Sequence, residues 1–130
     1  MAQVKIYGLK GSLSEKRESL SNAIHESLME AFGLPENKKF QRFIMLDEND
    51  FIYPDDRSIE YTIIELSIFE GRSVETKKKL INLLIQKIGL QSGIQKQDIE
   101  ITIFETPMVN WGIRGVSGDE LVLNYKVSIK

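Results

Sequence analysis

The sequence predicts an α+β fold of two tandem β-α-β units, with a four-stranded core sheet and two helices on one face. Three observations predict it. Strand and helix patterns alternate in the order strand, helix, strand, then restart. The halves align without a gap at a shift of 60 residues, as from Gly11 to Gly71. Helix-end and core positions repeat in that one register: Leu20 meets Leu80, Leu28 meets Ile88, Gly33 meets Gly93 and Phe43 meets Ile103. Right-handed crossovers then put both helices on the same side of the sheet.

Each element follows from local pattern. Val4, Ile6 and Gly8 alternate with Lys5 and Tyr7 as a first strand, which Gly11 is expected to end. Ser12 and Glu15 have capping-box spacing and predict a helix start there. Leu20, Ala23, Ile24, Leu28 and Ala31 form its apolar stripe, and Gly33 with Pro35 ends it. Gln41 to Leu46 is nearly all apolar and reads as a strand covered on both sides. Asp47 to Ser58 is a polar connector, with a short hairpin expected at Phe51-Ile52-Tyr53. Tyr61 to Phe69 is rich in Ile, Thr and Tyr and predicts a strand. Ser73 opens a helix with Leu80, Ile81, Leu84 and Ile88 on its apolar face, and Gly93 marks the end of the connecting region. Ile99, Ile101 and Ile103 alternate in a fourth strand, and Leu121 to Ile129 reads as a fifth. The repeat units run from about 2 to 46 and from 60 to 105, within one domain over residues 1–130. The sheet face opposite the helices is expected to be apolar and to be covered by self-association.

Composition narrows the function. The 130 residues are 42% apolar and 28% charged, with a formal net charge of −2. That balance has no field for nucleic acid or an anionic membrane surface. No apolar run approaches the roughly 20 residues of a membrane span. The first ten residues lack a signal-peptide layout, so a cytoplasmic protein is expected. Without cysteine there is no disulfide, thiol nucleophile or Cys-based metal site. A single histidine, His25, argues against zinc and reads as a partly exposed helix residue. Asp47-Glu48 and Asp55-Asp56 read as turn formers, and Lys77-Lys78-Lys79 as a solvated helix face. No phosphate-cradling glycine motif occurs, and no cofactor or metal is expected.

Three features remain. Arg72 lies where the third strand turns into the second helix. A guanidinium beside free helix-end amides makes a carboxylate site, although the position equally suits a surface arginine. Trp111 lies in a glycine-flanked loop beside Asn110 and Arg114, as a pocket wall or as an interface anchor. Finally, the first strand starts almost at once, with Ala2 beside Met1.

Together these features resemble the tautomerase superfamily. The matched pieces are the early strand from Ala2, Glu30-Ala31-Phe32-Gly33-Leu34-Pro35 at the first helix end, Glu70-Gly71-Arg72-Ser73 before the second helix, and Glu105-Thr106-Pro107. The helix end is similar to that of malonate semialdehyde decarboxylases, and the E-G-R-S run to that of cis-3-chloroacrylic acid dehalogenases. The resemblance spans nearly the whole chain. It implies a homotrimer with pockets between subunits, each at the start of a first strand. It also implies a tautomerase-like isomerase of a small enol or 2-oxo carboxylate, with Arg72, Trp111 and Arg114 as substrate-binding residues. A non-catalytic trimer that binds small anions is the alternative. The family's base is an N-terminal proline, and Ala2 stands at that position. With Met1 removed, the Ala2 amine, of reference pKa roughly 7.7–8.0, could take that role. Lys38 stands where the decarboxylases carry aspartate and Glu70 where they carry arginine, while Phe69 replaces the dehalogenases' paired arginine. The resemblance therefore implies neither of those two reactions for this chain. Arg42, Arg57 and Arg114 are the candidates for replacement positive charge.

Overall fold

Six strands and two long helices order the chain, which a computed structural model describes over residues 2–121. Strand β1 (Ala2–Leu9) leads into helix α1 (Lys10–Phe32) and strand β2 (Gln41–Leu46). Strand β3 (Thr62–Phe69), helix α2 (Val74–Ser92) and strand β4 (Ile99–Thr106) repeat the arrangement. A hairpin of β5 (Gly112–Ile113) and β6 (Val116–Ser117) follows. The sheet order is β2-β1-β3-β4. Each outer strand runs parallel to its own unit's inner strand, while β1 and β3 are antiparallel, so each unit points opposite to the other.

The pleat decides what is buried. β1 and β3 carry the same alternation, with Val4, Ile6, Ile64, Leu66 and Ile68 facing the helices. Leu20, Ile24 and Leu28 of α1 and Leu80, Leu84 and Ile88 of α2 meet them in one core. Ala31 and Ile81 lie at its margin, half-buried. Both helices close on a left-handed glycine: Gly33 (φ 68°) donates to Met29 O, and Gly93 (φ 76°) to Gly89 O. Gly93 thus caps α2 itself and does not end a connecting stretch.

Several expectations need correction. α1 begins at Lys10, directly after β1, with Leu9 at its N-cap and no side-chain cap. The Ser12 and Glu15 spacing is therefore not a capping box, and Gly11 lies inside the helix. The reason is Leu13, fully buried in the first turn of the early-starting helix. It docks on Gly8, where even one added carbon would stand 2.8 Å from Leu13 Cγ. β2 is an edge strand with its side chains half-exposed, not covered on both sides. No hairpin forms at Phe51 to Tyr53. Instead the Phe51 and Tyr53 rings fold onto Tyr61 at 5.3 Å each. The uncovered sheet face is not apolar. By register it presents Gln3, Lys5, Tyr7, Arg42, Glu65 and Thr102 among Ile44, Ile63 and Phe104. Tyr7 donates to Glu65 at 3.0 Å and Arg42 to Gln3 at 3.1 Å across it. The strand expected over 121–129 lies, beyond Leu121, outside the described residues.

His25 is buried at 4% exposure, not partly exposed. Its Nε2 lies 2.9 Å from the Glu36 carbonyl and 3.2 Å from that of Pro35. Two acceptors require this nitrogen to carry the proton. His25 therefore ties the turn after α1 to the helix, which is a structural role.

Candidate functional site

Antiparallel pairing of β1 and β3 places Ala2 opposite Ile68. The start of β1 therefore shares one end of the sheet with the last turn of α1, the β3–α2 turn and the end of β4. Arg72 belongs to that turn, four residues past Ile68. In contrast to β1, which enters its helix at once, β3 is followed by Glu70-Gly71-Arg72-Ser73 before α2 starts at Val74. Gly71 takes φ 129°, a conformation that favours glycine. Ser73 is the true N-cap and accepts from Thr76 N at 3.1 Å. The turn delivers the Arg72 guanidinium onto the Phe32 ring, 4.2 Å from its centroid.

Both terminal nitrogens of Arg72 are shielded from solvent and lack a hydrogen-bond partner among the described residues. Burial pushes the guanidinium below its ordinary pKa, while the nearby Glu105 charge acts the other way. Arginine keeps its charge even so. A buried, unpaired cation is costly, and a planar anion with two oxygens is what its edge is shaped to accept. Glu105 itself pairs with Lys77, Nζ to Oε1 at 2.7 Å. Lys77 therefore departs from the solvated face expected of it, unlike Lys78 and Lys79, which are exposed.

Trp111 stands at the same end. Its indole N–H donates to Thr106 Oγ1 at 2.6 Å, and its ring meets the fully buried Phe69 edge-on at 5.0 Å. Gly118 presses against its back: an added Cβ would lie 2.4 Å from the Met108 carbonyl oxygen and 3.1 Å from Trp111 Cβ. That close approach was invisible as a signal in the sequence. Arg114 is exposed at the tip of the β5–β6 hairpin, at φ 50°. Arg42 is on the polar sheet face, bonded to Gln3. Arg57 is at the other end of the sheet, paired with Asp56 at 2.6 Å and Glu100 at 2.5 Å, so it supplies no charge beside Arg72. A cavity of about 290 Å³, lined by Leu9, Lys10, Ser12, Leu46, Asp47 and Ile59 among others, also lies at that other end. The structure thus gathers Ala2, Arg72 and Trp111 and separates them from Arg57. Among the described residues no group of three or more His, Asp or Glu side chains could hold a metal ion, and no helix is long and apolar enough to cross a membrane.

Residues 38–114 match the family model described as Tautomerase enzyme, and the chain belongs to that family. The matched stretch includes Arg72 and Trp111. Probable tautomerase YusQ of Bacillus subtilis (strain 168) is 26% identical over 116 residues, covering 85% of this chain and 91% of that protein. Among solved structures, FG41 malonate semialdehyde decarboxylase inhibited by 3-bromopropiolate superimposes with a TM-score of 0.81 at 25% identity, over 93% of this chain and 98% of that one. An asymmetric trimer of wild-type R7 fused 4-OT shares the fold at a TM-score of 0.78 and 18% identity, over 90% and 96% of the two chains.

Proposed function

We propose that the protein is an isomerase of a small enol or 2-oxo carboxylate, working as a homotrimer at pockets between subunits. The observation that carries this reading is the shielded Arg72 guanidinium, unpaired among the described residues, at the sheet end where β1 begins. Arg72 binds the substrate carboxylate through its free edge, and Trp111 walls the pocket. Arg114 approaches from the hairpin tip. The α-amine of Ala2, freed when Met1 is removed, takes the enol hydroxyl proton and a proton returns to carbon. The reaction is a proton shift and needs no co-reactant. Family membership supports the reaction class, and the trimeric state of fused 4-OT supports the assembly. A small carboxylate is also what 3-bromopropiolate, the inhibitor in the decarboxylase neighbour, presents.

The departure at Ala2 favours a second reading, a trimer of the same fold that binds small anions without turning them over. A primary amine lacks the fixed φ of proline. Ketonisation of phenylpyruvate or 2-hydroxymuconate by protein with a verified Ala2 terminus, beside Arg72→Met, separates the two. Turnover that Arg72→Met abolishes supports the isomerase. Carboxylate binding through Arg72 without turnover supports the second reading.

A further inference from the structure

We infer that Lys77 is a positioning residue that keeps the Arg72 edge unpaired, and so available to a carboxylate ligand, by holding the Glu105 carboxylate away from it. This rests on the reading of Arg72 as the carboxylate anchor.

The geometry is local. Parallel register sets Glu105 of β4 opposite Ile68 of β3, and the chain then turns through Gly71 into Arg72. Glu105 is thus the carboxylate at the end of the neighbouring strand, and its charge is felt at the guanidinium. A carboxylate so placed has every electrostatic reason to take the arginine edge, where two parallel hydrogen bonds are available. It does not: both terminal nitrogens of Arg72 are unpartnered among the described residues. The Lys77 ammonium holds Glu105 at 2.7 Å instead, with each side chain about three-quarters buried. Lys77 reaches there because the start of α2 is fixed by the Ser73 cap, and its own N–H donates to Ser73 O at 3.1 Å. Three charges are thereby divided unequally. One acid is satisfied by one lysine, and the nearby arginine keeps its edge unpaired among the described residues.

The test is a four-protein comparison of malonate binding by calorimetry at low salt: wild type, Lys77→Met, Glu105→Gln and the double variant. Lys77→Met should bind about tenfold more weakly, because the released Glu105 occupies Arg72. Adding Glu105→Gln should restore affinity to within about threefold of wild type, whereas Glu105→Gln alone should change it by less than about twofold. If Lys77 merely contributed positive charge, Glu105→Gln would strengthen binding equally in both backgrounds. That result, or an unchanged affinity in Lys77→Met, overturns the inference. Lys77→Gln serves if the Met variant misfolds. The rate at which phenylglyoxal modifies Arg72, read by mass spectrometry, needs no ligand. It should fall in Lys77→Met and recover in the double variant. If wild type and Arg72→Met bind malonate equally, the anchor reading fails, and the modification rates still decide the role of Lys77.

Discussion

The guanidinium of Arg72 sits over the Phe32 ring, its central carbon 4.2 Å from the ring centroid. The ring satisfies the face of the cation and leaves its hydrogen-bonding edge unused. Stacking of this kind is worth roughly 0.5–2 kcal/mol when water is excluded. Phe32→Leu should therefore weaken malonate binding about three- to tenfold by calorimetry, while Phe32→Tyr should keep it near wild type. Equal loss in both variants would mean that the ring acts only as packing.

Arg72 should be a stability cost that ligand repays. Replacing a buried unpaired charge with an apolar side chain of similar length is commonly stabilising, here by about 1 kcal/mol. Arg72→Met should melt a few degrees higher than wild type in anion-free buffer. Malonate should raise the melting temperature of wild type and leave that of the variant unchanged. A variant that melts lower would show that the guanidinium is already paired in solution.

The protein should sediment as a trimer at micromolar concentration. The motive is the site itself, since the cavity beside β1 and α1 lies at the wrong sheet end and the Arg72 edge has no partner among the described residues. Sedimentation equilibrium that finds a monomer would remove the basis for a pocket between subunits.

Ala2→Pro, with Met1 confirmed absent by mass spectrometry, should raise ketonisation activity above wild type. Displacing the amine by a single residue moves it by about 3.8 Å, so both the processing and the ring matter. A processed proline variant no more active than wild type would favour anion binding without turnover.

At the far end of the sheet, Glu100 accepts from the Tyr61 hydroxyl and from Arg57, which hold its carboxyl below the ordinary range. A depressed carboxylate stabilises the fold above its unfolded pKa, and that contribution is lost as pH falls through the folded value. Glu100→Gln should therefore flatten the loss of stability below about pH 4.5. Tyr61, pushed up to about 12 mainly by burial and then by Glu100, should stay largely protonated up to about pH 11. Absorbance titration of wild type and Tyr61→Phe near pH 11 should then coincide.

Much of the fold is written in short-range pattern. The inner strands, the Ser73 cap and the Gly33 cap all show themselves through residues within one turn of each other. Features set by distant partners do not. Ser12 and Glu15 mimic a cap, but the packing of Leu13 on Gly8 starts α1 earlier. His25 finds its acceptors ten and eleven residues on, in a turn whose path the helix pattern does not contain. The polar character of the open face follows from cross-strand register, because apolar strands such as Gln41 to Leu46 do not reveal which side faces the helices. At the site, Arg72 and Trp111 are conspicuous in the sequence. Phe32 and Lys77 are not, since one looks like core and the other like solvated charge until the fold sets Arg72 over the Phe32 ring and pairs Lys77 with Glu105.

The junction at Leu9 and Lys10 has a consequence for how the two halves share labour. At a shift of 60, Arg72 corresponds to Ser12, and α1 has spent that position on its additional first turn. The first unit has no guanidinium at the position where the second carries Arg72. One half has become ballast and the other instrument, so tolerance to substitution should be lopsided. Changes around Lys10 to Ser12 answer only to folding, while their counterparts around Glu70 to Arg72 answer to folding and to a ligand at once.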